Sequence, residues 1–479
     1  MLSGFSFGDG GAGDGSQDYD ARHPHSLLPD ATVVEPSPGC ATGNTTITGK
    51  VFDPAGKNPL YGIVVYVPAG PVSPLATGAS CDACGSLYTG GVLASAVTGT
   101  DGSFTLSNIP VGDASATIPL VIQVGKWRKQ IPALAIQPCR TTALVDGTLT
   151  LPKNHTDPGN DLPSIAISTG GADTLECLLR RVGLDAAEYG PGASGPGHIH
   201  IFTGSSGGSP NVVPGSGGGY YGLAPTTNPA APNSYEALWD STADLLPYDI
   251  ILLSCEGNPT SSVTATSQQN LVDYTTAGGR VFASHYQYAW LHTGPFGADP
   301  LADWTTPDGG AGAAPDGGLL AIGPPNHAYG TILTSFPKGK ALDAWLGNVG
   351  ALTAGQLAIA QPRFDVGYDP ALKASETWIT VPNPTSTTSG EYLSFNTPVT
   401  ATIAADAGPQ CGRVVFSDIH VSGAVTPADY TGASETVPDG CTNAALTPQE
   451  AALEFMLFDL SSCVVPDSQP PPPPPPPSK

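Results

Sequence analysis

Five short, nearly continuous apolar runs constrain this chain more than anything else in it. They are Ser164-Ile165-Ala166-Ile167-Ser168, His198-Ile199-His200-Ile201-Phe202, Tyr248-Asp249-Ile250-Ile251-Leu252-Leu253, Arg280-Val281-Phe282-Ala283-Ser284 and Gly412-Arg413-Val414-Val415-Phe416-Ser417. A strand that is apolar on both faces has to be covered on both, which is the habit of parallel sheets. Helical patterns lie between the runs. Asp173-Thr174-Leu175-Glu176 reads as a capping box, Leu175, Leu178, Leu179 and Val182 keep helical spacing, and Gly183 stops the helix. Gln268–Ala277 is a second predicted helix, closed by Gly278-Gly279, and Lys338–Val349 a third. Thr447-Pro448-Gln449-Glu450 is a capping box with proline in the first turn, opening a fourth helix to about Asp459. The alternation predicts a doubly wound, flavodoxin-like parallel α/β sheet over residues 160–465, with a Gly/Pro-rich insertion at about 295–410.

Upstream the period changes to β. Thr46–Phe52 alternates and ends in the turn Asp53-Pro54-Ala55-Gly56. Ile63–Val67, Ser103–Leu106 and Leu120–Val124 are further strands punctuated by glycine and proline. Short strands at this spacing predict a β-sandwich of the transthyretin/Ig-like kind over residues 40–145, so the chain is multidomain. Gly125-Lys126-Trp127-Arg128-Lys129 is its basic-aromatic cluster, read as an exposed strand edge guarded by charge. Residues 1–39 have no period and read as a Gly/Asp/Ser/Pro linker. Residues 466–479 form a polyproline tail, whose run Pro470–Pro477 predicts a stiff rod rising ~3.1 Å per residue.

Charge excludes some functions. The 41 acidic and 17 basic residues leave a net −24, which disfavours phosphate backbones and anionic membranes alike, so no nucleic-acid partner is expected. Nine cysteines and only two methionines fit an exported protein, with four disulfides and one thiol left over as the simplest count. Cys81 and Cys84 are close enough in sequence for a local staple. No run reaches the ~18 apolar residues of a membrane span. Met1–Gly8 has neither the basic region nor the apolar core of a signal peptide. Export to the extracellular or outer cell surface is therefore an expectation from composition, with a start upstream of the present one and a lipid anchor there.

In open parallel sheets, ligands bind beyond the carboxyl ends of the strands. Those ends carry Thr169-Gly170-Gly171 with Asp173, then Thr203-Gly204, Ser254-Cys255-Glu256-Gly257, Ser284-His285 and Asp418-Ile419-His420. Three chemistries follow. Thiol chemistry would use Cys255, one strand over from His285, with His420 as general base beside Glu256 or Asp418, the alternative being that Cys255 is a small buried or disulfide-bonded residue. A divalent metal such as zinc would take His285, His420 and His327 or His292 with Glu256 or Asp418. Simple binding of a small polar ligand, with a carbohydrate favoured, would use the glycine-rich turns Thr169-Gly170-Gly171 and Gly204, Asp173, and aromatic surface from Tyr286, Tyr288, Trp290, Trp239, Tyr220 and Tyr221, although core packing is the expectation for most of these rings. His198 and His200 share one strand face, a permissible ligand pair, although the expectation is that they flank a strand edge.

Two family resemblances rest on named residues. Gly49, Val51, Val65, Val67, Thr100, Asp101, Gly102, Phe104, Leu106, Ile109, Pro110 and Gly112 resemble the pattern of carboxypeptidase regulatory-like domains, although Asp101 and Gly102 are adjacent here. That resemblance implies an accessory sandwich. The Tyr248–Leu253 run, the Ala277-Gly278-Gly279-Arg280 turn into Val281–His285, and the Gly412–His420 run resemble class I glutamine amidotransferase-like domains, closest to the ThuA-like branch. The family's Gly-x-Cys-x-Gly elbow is absent and His285 stands in its place, so amidotransferase activity is not implied. The whole chain is similar to uncharacterised exported myxobacterial proteins that join these two domains, and this carries no activity with it. The expectation is a surface protein whose α/β domain binds a small polar ligand, a carbohydrate or an envelope polymer. The alternatives are a hydrolase or sugar-modifying enzyme using His285 and His420 with Cys255 or a metal, and a structural wall spacer. No resident cofactor beyond such a metal is expected.

Overall fold

The computed structural model describes residues 40–41, 43–81, 84–110, 117–205, 233–257, 262–304, 327–360, 362–382, 388–399, 409–421 and 445–474. The predicted linker 1–39 lies outside them, as do Tyr220, Tyr221 and Cys441.

The five apolar runs form neighbouring strands. β1 (Ile165–Ser168), β2 (Ile199–Thr203), β3 (Ile250–Leu253), β4 (Arg280–Ser284) and β5 (Gly412–Ser417) lie side by side in the order β2-β1-β3-β4-β5. Every pair among them is parallel. Their alternate residues enter different cores. Ile165, Ile167, Ile250, Leu252, Phe282 and Val415 join helices α1 (Leu175–Val182), α3 (Pro337–Asn348) and α4 (Pro448–Ser461). Ala166, Ile251, Leu253, Val281, Val414 and Phe416 face α2 (Ala265–Thr276) through Leu271 and Tyr274. Both faces are thus buried, which explains runs without a polar side. Each fully buried leucine or isoleucine there contributes roughly 1.5–3 kcal/mol.

The cap predicted for α4 is present in full. Thr447 accepts from the Glu450 amide and Glu450 reaches back to the Thr447 amide, with proline in the first turn. The α1 box is not formed. Thr174 is the N-cap and makes no side-chain cap hydrogen bond, while Glu176 points into the core. The carboxylate of Asp173 takes the Thr174 amide in its stead. Gly183 does end α1, at φ 113°.

The predicted insertion is no separate body. Its strands Thr388–Thr397, Glu376–Pro382, His327–Ile332 and Gln356–Ala360 continue the same sheet beyond β5, antiparallel throughout.

Residues 46–161 supply a β-sandwich region. One sheet is built on Thr46–Phe52, flanked by Ser103–Leu106 and Thr141–Ala143. The other runs Val92–Val97, Val64–Pro68, Thr117–Val124, Trp127–Ala135 and Asn160–Asp161. The basic-aromatic cluster is not an exposed edge. Trp127 and Arg128 are fully buried, Trp127 packs edge-on against Phe458 of α4 at 5.6 Å, and Arg128 pairs with Asp161 at 2.7 Å. Lys126 pairs with Asp249, just before β3, at 2.6 Å.

Cys40–Cys139 closes the sandwich on itself. Cys81 and Cys84 do not form a local staple: Cys81 bonds Cys411 and Cys84 bonds Cys463. Cys177 is disulfide-bonded as well, and Cys255 is free and buried. These cross-links fit a secreted protein. Among the described residues no helix is long and apolar enough to cross a membrane. The first part of the proline tail is held on the body rather than projecting as a rod. Asp467 pairs with Arg413 and Lys338, and Pro471 lines a crevice with Tyr61, Trp345 and Phe455.

Candidate functional site

Three side chains from three strand ends meet. Cys255 follows β3, His285 follows β4 and His420 follows β5, and one donor atom from each lies within 4.8 Å of the other two. Cys255 Sγ is 3.2 Å from His285 Nδ1, and the two imidazole rings stand edge to face at 5.1 Å. All three are closed off from solvent, with exposures of 0%, 2% and 0%.

Local backbone explains the aim of each. His285 takes a left-handed φ of 45°, rare for a side chain of its size, at the abrupt change from β4 to the short helical segment His285–Trp290. Strained residues of this kind persist where the surroundings over-determine them, and they cluster at working sites. Gln287 ties that turn to the end of β3 by donating to the Ser254 carbonyl at 2.8 Å, and accepts from Trp290 Nε1. Gly170 has no side chain because the Cys255 carbonyl would lie 1.9 Å from a Cβ there. The Ala172 amide donates to that same carbonyl, so the turn after β1 is the seat of Cys255. Gln449, at the start of α4, donates to the His420 carbonyl.

Each histidine is backed by a carboxylate. His420 Nδ1 is 3.4 Å from Asp173 Oδ2, and His285 Nε2 is 3.5 Å from Asp365 Oδ2. Asp173 is itself fixed by the amides of Thr174 and Val421 and by the Ser284 hydroxyl at 2.5 Å. The Asp365 amide donates to Asp418, whose own amide donates to the Glu391 carbonyl. Asp173, Asp365, Glu391 and Asp418 are all fully buried. Burial, reinforced by Asp365 and Glu391, holds the Asp418 carboxyl well above the usual carboxylate range. Burial does the same to Glu391, against the pull of Arg363.

Burial pushes the Cys255 thiol up to about 12, although the amides of Gly257 and Tyr286 face the sulfur and oppose this. Burial, then His420 and Arg363, hold His285 well below the ordinary imidazole value. Burial lowers His420 too, against Asp173. All three shifts favour the neutral forms of the thiol and the imidazoles.

The other predicted residues are placed as follows. Glu256 accepts from the amide and hydroxyl of Ser205. Asp418 stands behind Asp365 rather than beside the thiol. Thr169 and Gly204 pack the β1 and β2 turns together: Gly204 would bring a Cβ to 2.2 Å of the Thr169 carbonyl. Gly171 lies in the same turn as Gly170. Tyr286 is half-buried with its ring 3.9 Å from that of His285. Tyr288, Trp239 and Trp290 are core residues, so they offer no open platform. His292 hydrogen-bonds the Tyr288 carbonyl outside the cluster. His327 opens an antiparallel strand opposite Ala360, and its side chain is outside the described set. His198 and His200 serve Leu162 and Tyr248. Asp365, Arg363 and Glu391 come from the region read as an insertion. No motif marks them. Glu391 reaches the site on the strand Thr388–Thr397, which extends the central sheet, and Arg363 and Asp365 lie in the coil that follows Gln356–Ala360.

No family model matches the chain, and no curated protein matches it. Among solved structures, two mutant cohesin–X-dockerin complexes from Acetivibrio cellulolyticus are similar over 31% of this chain and 77% of theirs. Their identities are 15% and 16%, and their TM-scores 0.16 and 0.15.

Proposed function

We propose that this is an extracellular protein whose α/β part holds a transition-metal ion between Cys255, His285 and His420. The observation that carries the reading is the approach of one sulfur and two nitrogens, from three different strand ends, to within 4.8 Å of one another. One thiolate and two imidazoles are donors that borderline and soft metals favour. Metal-bound histidines characteristically have a carboxylate behind the second nitrogen, and Asp173 and Asp365 stand 3.4 and 3.5 Å from those nitrogens here. The Asp173 and Asp365 carboxyl groups are buried beside the histidines, and a cation offsets the cost of burying them. The neutral imidazoles are ready to ligate, and a metal removes the proton from a coordinating thiol.

The order β2-β1-β3-β4-β5 supports a flavodoxin-like relationship to the class I amidotransferase-like domains, with a transthyretin-like sandwich as accessory. Thiol hydrolysis is the weaker reading, because Cys255 is closed off from solvent and the same burial favours the protonated thiol over the nucleophilic thiolate. The disulfides support placement outside the cell.

The test is a titration of full-length, chelator-treated protein with Co(II). One equivalent should bind with a thiolate-to-cobalt charge-transfer absorption that is missing in Cys255→Ala. Absence of binding, or a band that survives in Cys255→Ala, refutes the metal centre.

A further inference from the structure

Resting on that reading, the geometry points to copper as the ion, held in a closed three-coordinate site that exchanges single electrons. Four observations lead there. The donor set is one sulfur and two imidazole nitrogens, and no fourth His, Cys, Asp or Glu joins the group among the described residues. Zinc sites are almost always four-coordinate, by a fourth side chain or by water at an open position. A set of two histidines and one cysteine without a strong fourth ligand is the trigonal arrangement that copper accepts in both of its common oxidation states.

The site is also sealed. Its three ligands are at most 2% exposed, which suits outer-sphere electron exchange and gives a hydrolytic water no entry. The amides of Gly257 and Tyr286 are aimed at the sulfur, and hydrogen bonds to a cysteine sulfur are among the levers that tune copper potentials. Finally, both imidazoles are confined. A carboxylate stands behind each, Asp365 at 3.5 Å and Asp173 at 3.4 Å, both histidines are at most 2% exposed, and His285 sits in a left-handed backbone conformation. Ligands that cannot rearrange let the ion change charge with little motion.

An electron has a short way out. The Tyr286 ring lies 3.9 Å from the His285 ring and is half-buried, so it carries the site to the surface. The step is Cu(II) plus one electron giving Cu(I). No bond is made or broken and no proton moves, and the electron comes from and returns to outer-sphere one-electron carriers.

The experiment uses full-length, chelator-treated protein, with Co(II) and Cu(II) titrated in parallel. Under the proposal, one equivalent of Cu(II) gives an intense visible thiolate-to-copper absorption and an electron paramagnetic signal with unusually small copper hyperfine splitting. Ascorbate bleaches the band, ferricyanide restores it, and Cys255→Ser abolishes it while circular dichroism remains native. His285→Ala, a second variant, weakens copper affinity by at least tenfold. If Co(II) binds through the thiolate but Cu(II) gives only a weak band, or is consumed by oxidising Cys255, the copper assignment falls and the metal centre stands. If neither ion binds, both fall.

Discussion

Glu176 lies inside α1, fully buried, and beyond its own backbone amide nothing hydrogen-bonds its carboxylate. Burial raises its pKa from 4.5 to about 8, with Asp173 adding to the shift. The unfolded chain releases this proton near pH 4.5 and the folded chain keeps it to about pH 8. Between those values the folded state binds more protons than the unfolded one, so the group costs stability as pH rises. The slope approaches ~1.4 kcal/mol per pH unit, giving a loss of roughly 2–3 kcal/mol between pH 5 and pH 7. Glu176→Gln keeps the shape and cannot ionise. Chemical unfolding of both proteins, metal-free, at pH 5, 6, 7 and 8 isolates the effect, because every other titrating group cancels in the difference. The variant's advantage should grow by that amount from pH 5 to pH 7. A difference that stays flat across the range would refute the reasoning, since it would mean that the carboxylate is charged in the folded protein.

The remaining expectations concern the centre and its frame. Asp365→Asn and Asp173→Asn should each weaken Co(II) binding by about 10–100-fold, the usual cost of losing a carboxylate behind a ligating histidine. An unchanged titration in both variants would remove their orienting role. Gly170→Ala puts a methyl group 1.9 Å from the Cys255 carbonyl. It should cost ~1–3 kcal/mol in an unfolding experiment and displace the sulfur enough to erase the cobalt band. Against the desolvation of burial, Arg413 and Lys338 hold the Asp467 carboxyl down at about 2. Its contribution is therefore complete above about pH 4 and lost as pH falls through 2. Asp467→Asn should cost ~3–5 kcal/mol at neutral pH, seen as a lower midpoint in denaturant, and flatten the acid limb.

Much of the central sheet could be read from the chain because β1 to β5 are short, apolar on both faces, and followed by helices with local stop signals. Gly183, Thr447 and Glu450 act within a few residues of their own position, so a linear reading finds them. The meeting of Cys255, His285 and His420 followed from one topological rule about where parallel strands end. What stayed hidden depends on distant pairing. Thr388–Thr397 joins β5 only in three dimensions, and with it come Glu391 and the neighbouring Asp365. The partners of Cys81 and Cys84 lie 330 and 379 residues away, and nothing near them in sequence favours those partners over each other. Asp173 and Glu176 had the spacing of a reciprocal cap. His420 claimed the first and the core claimed the second, a local preference overruled by packing.

The bonds from Cys81 to Cys411 and from Cys84 to Cys463 have a practical consequence for anyone handling the protein. A protease that nicks any loop between residues 84 and 411 leaves one piece carrying both early sulfurs and another carrying both late ones. The halves stay riveted and migrate as intact chain on a gel until a reductant is added. Damage of this sort is invisible without that reductant.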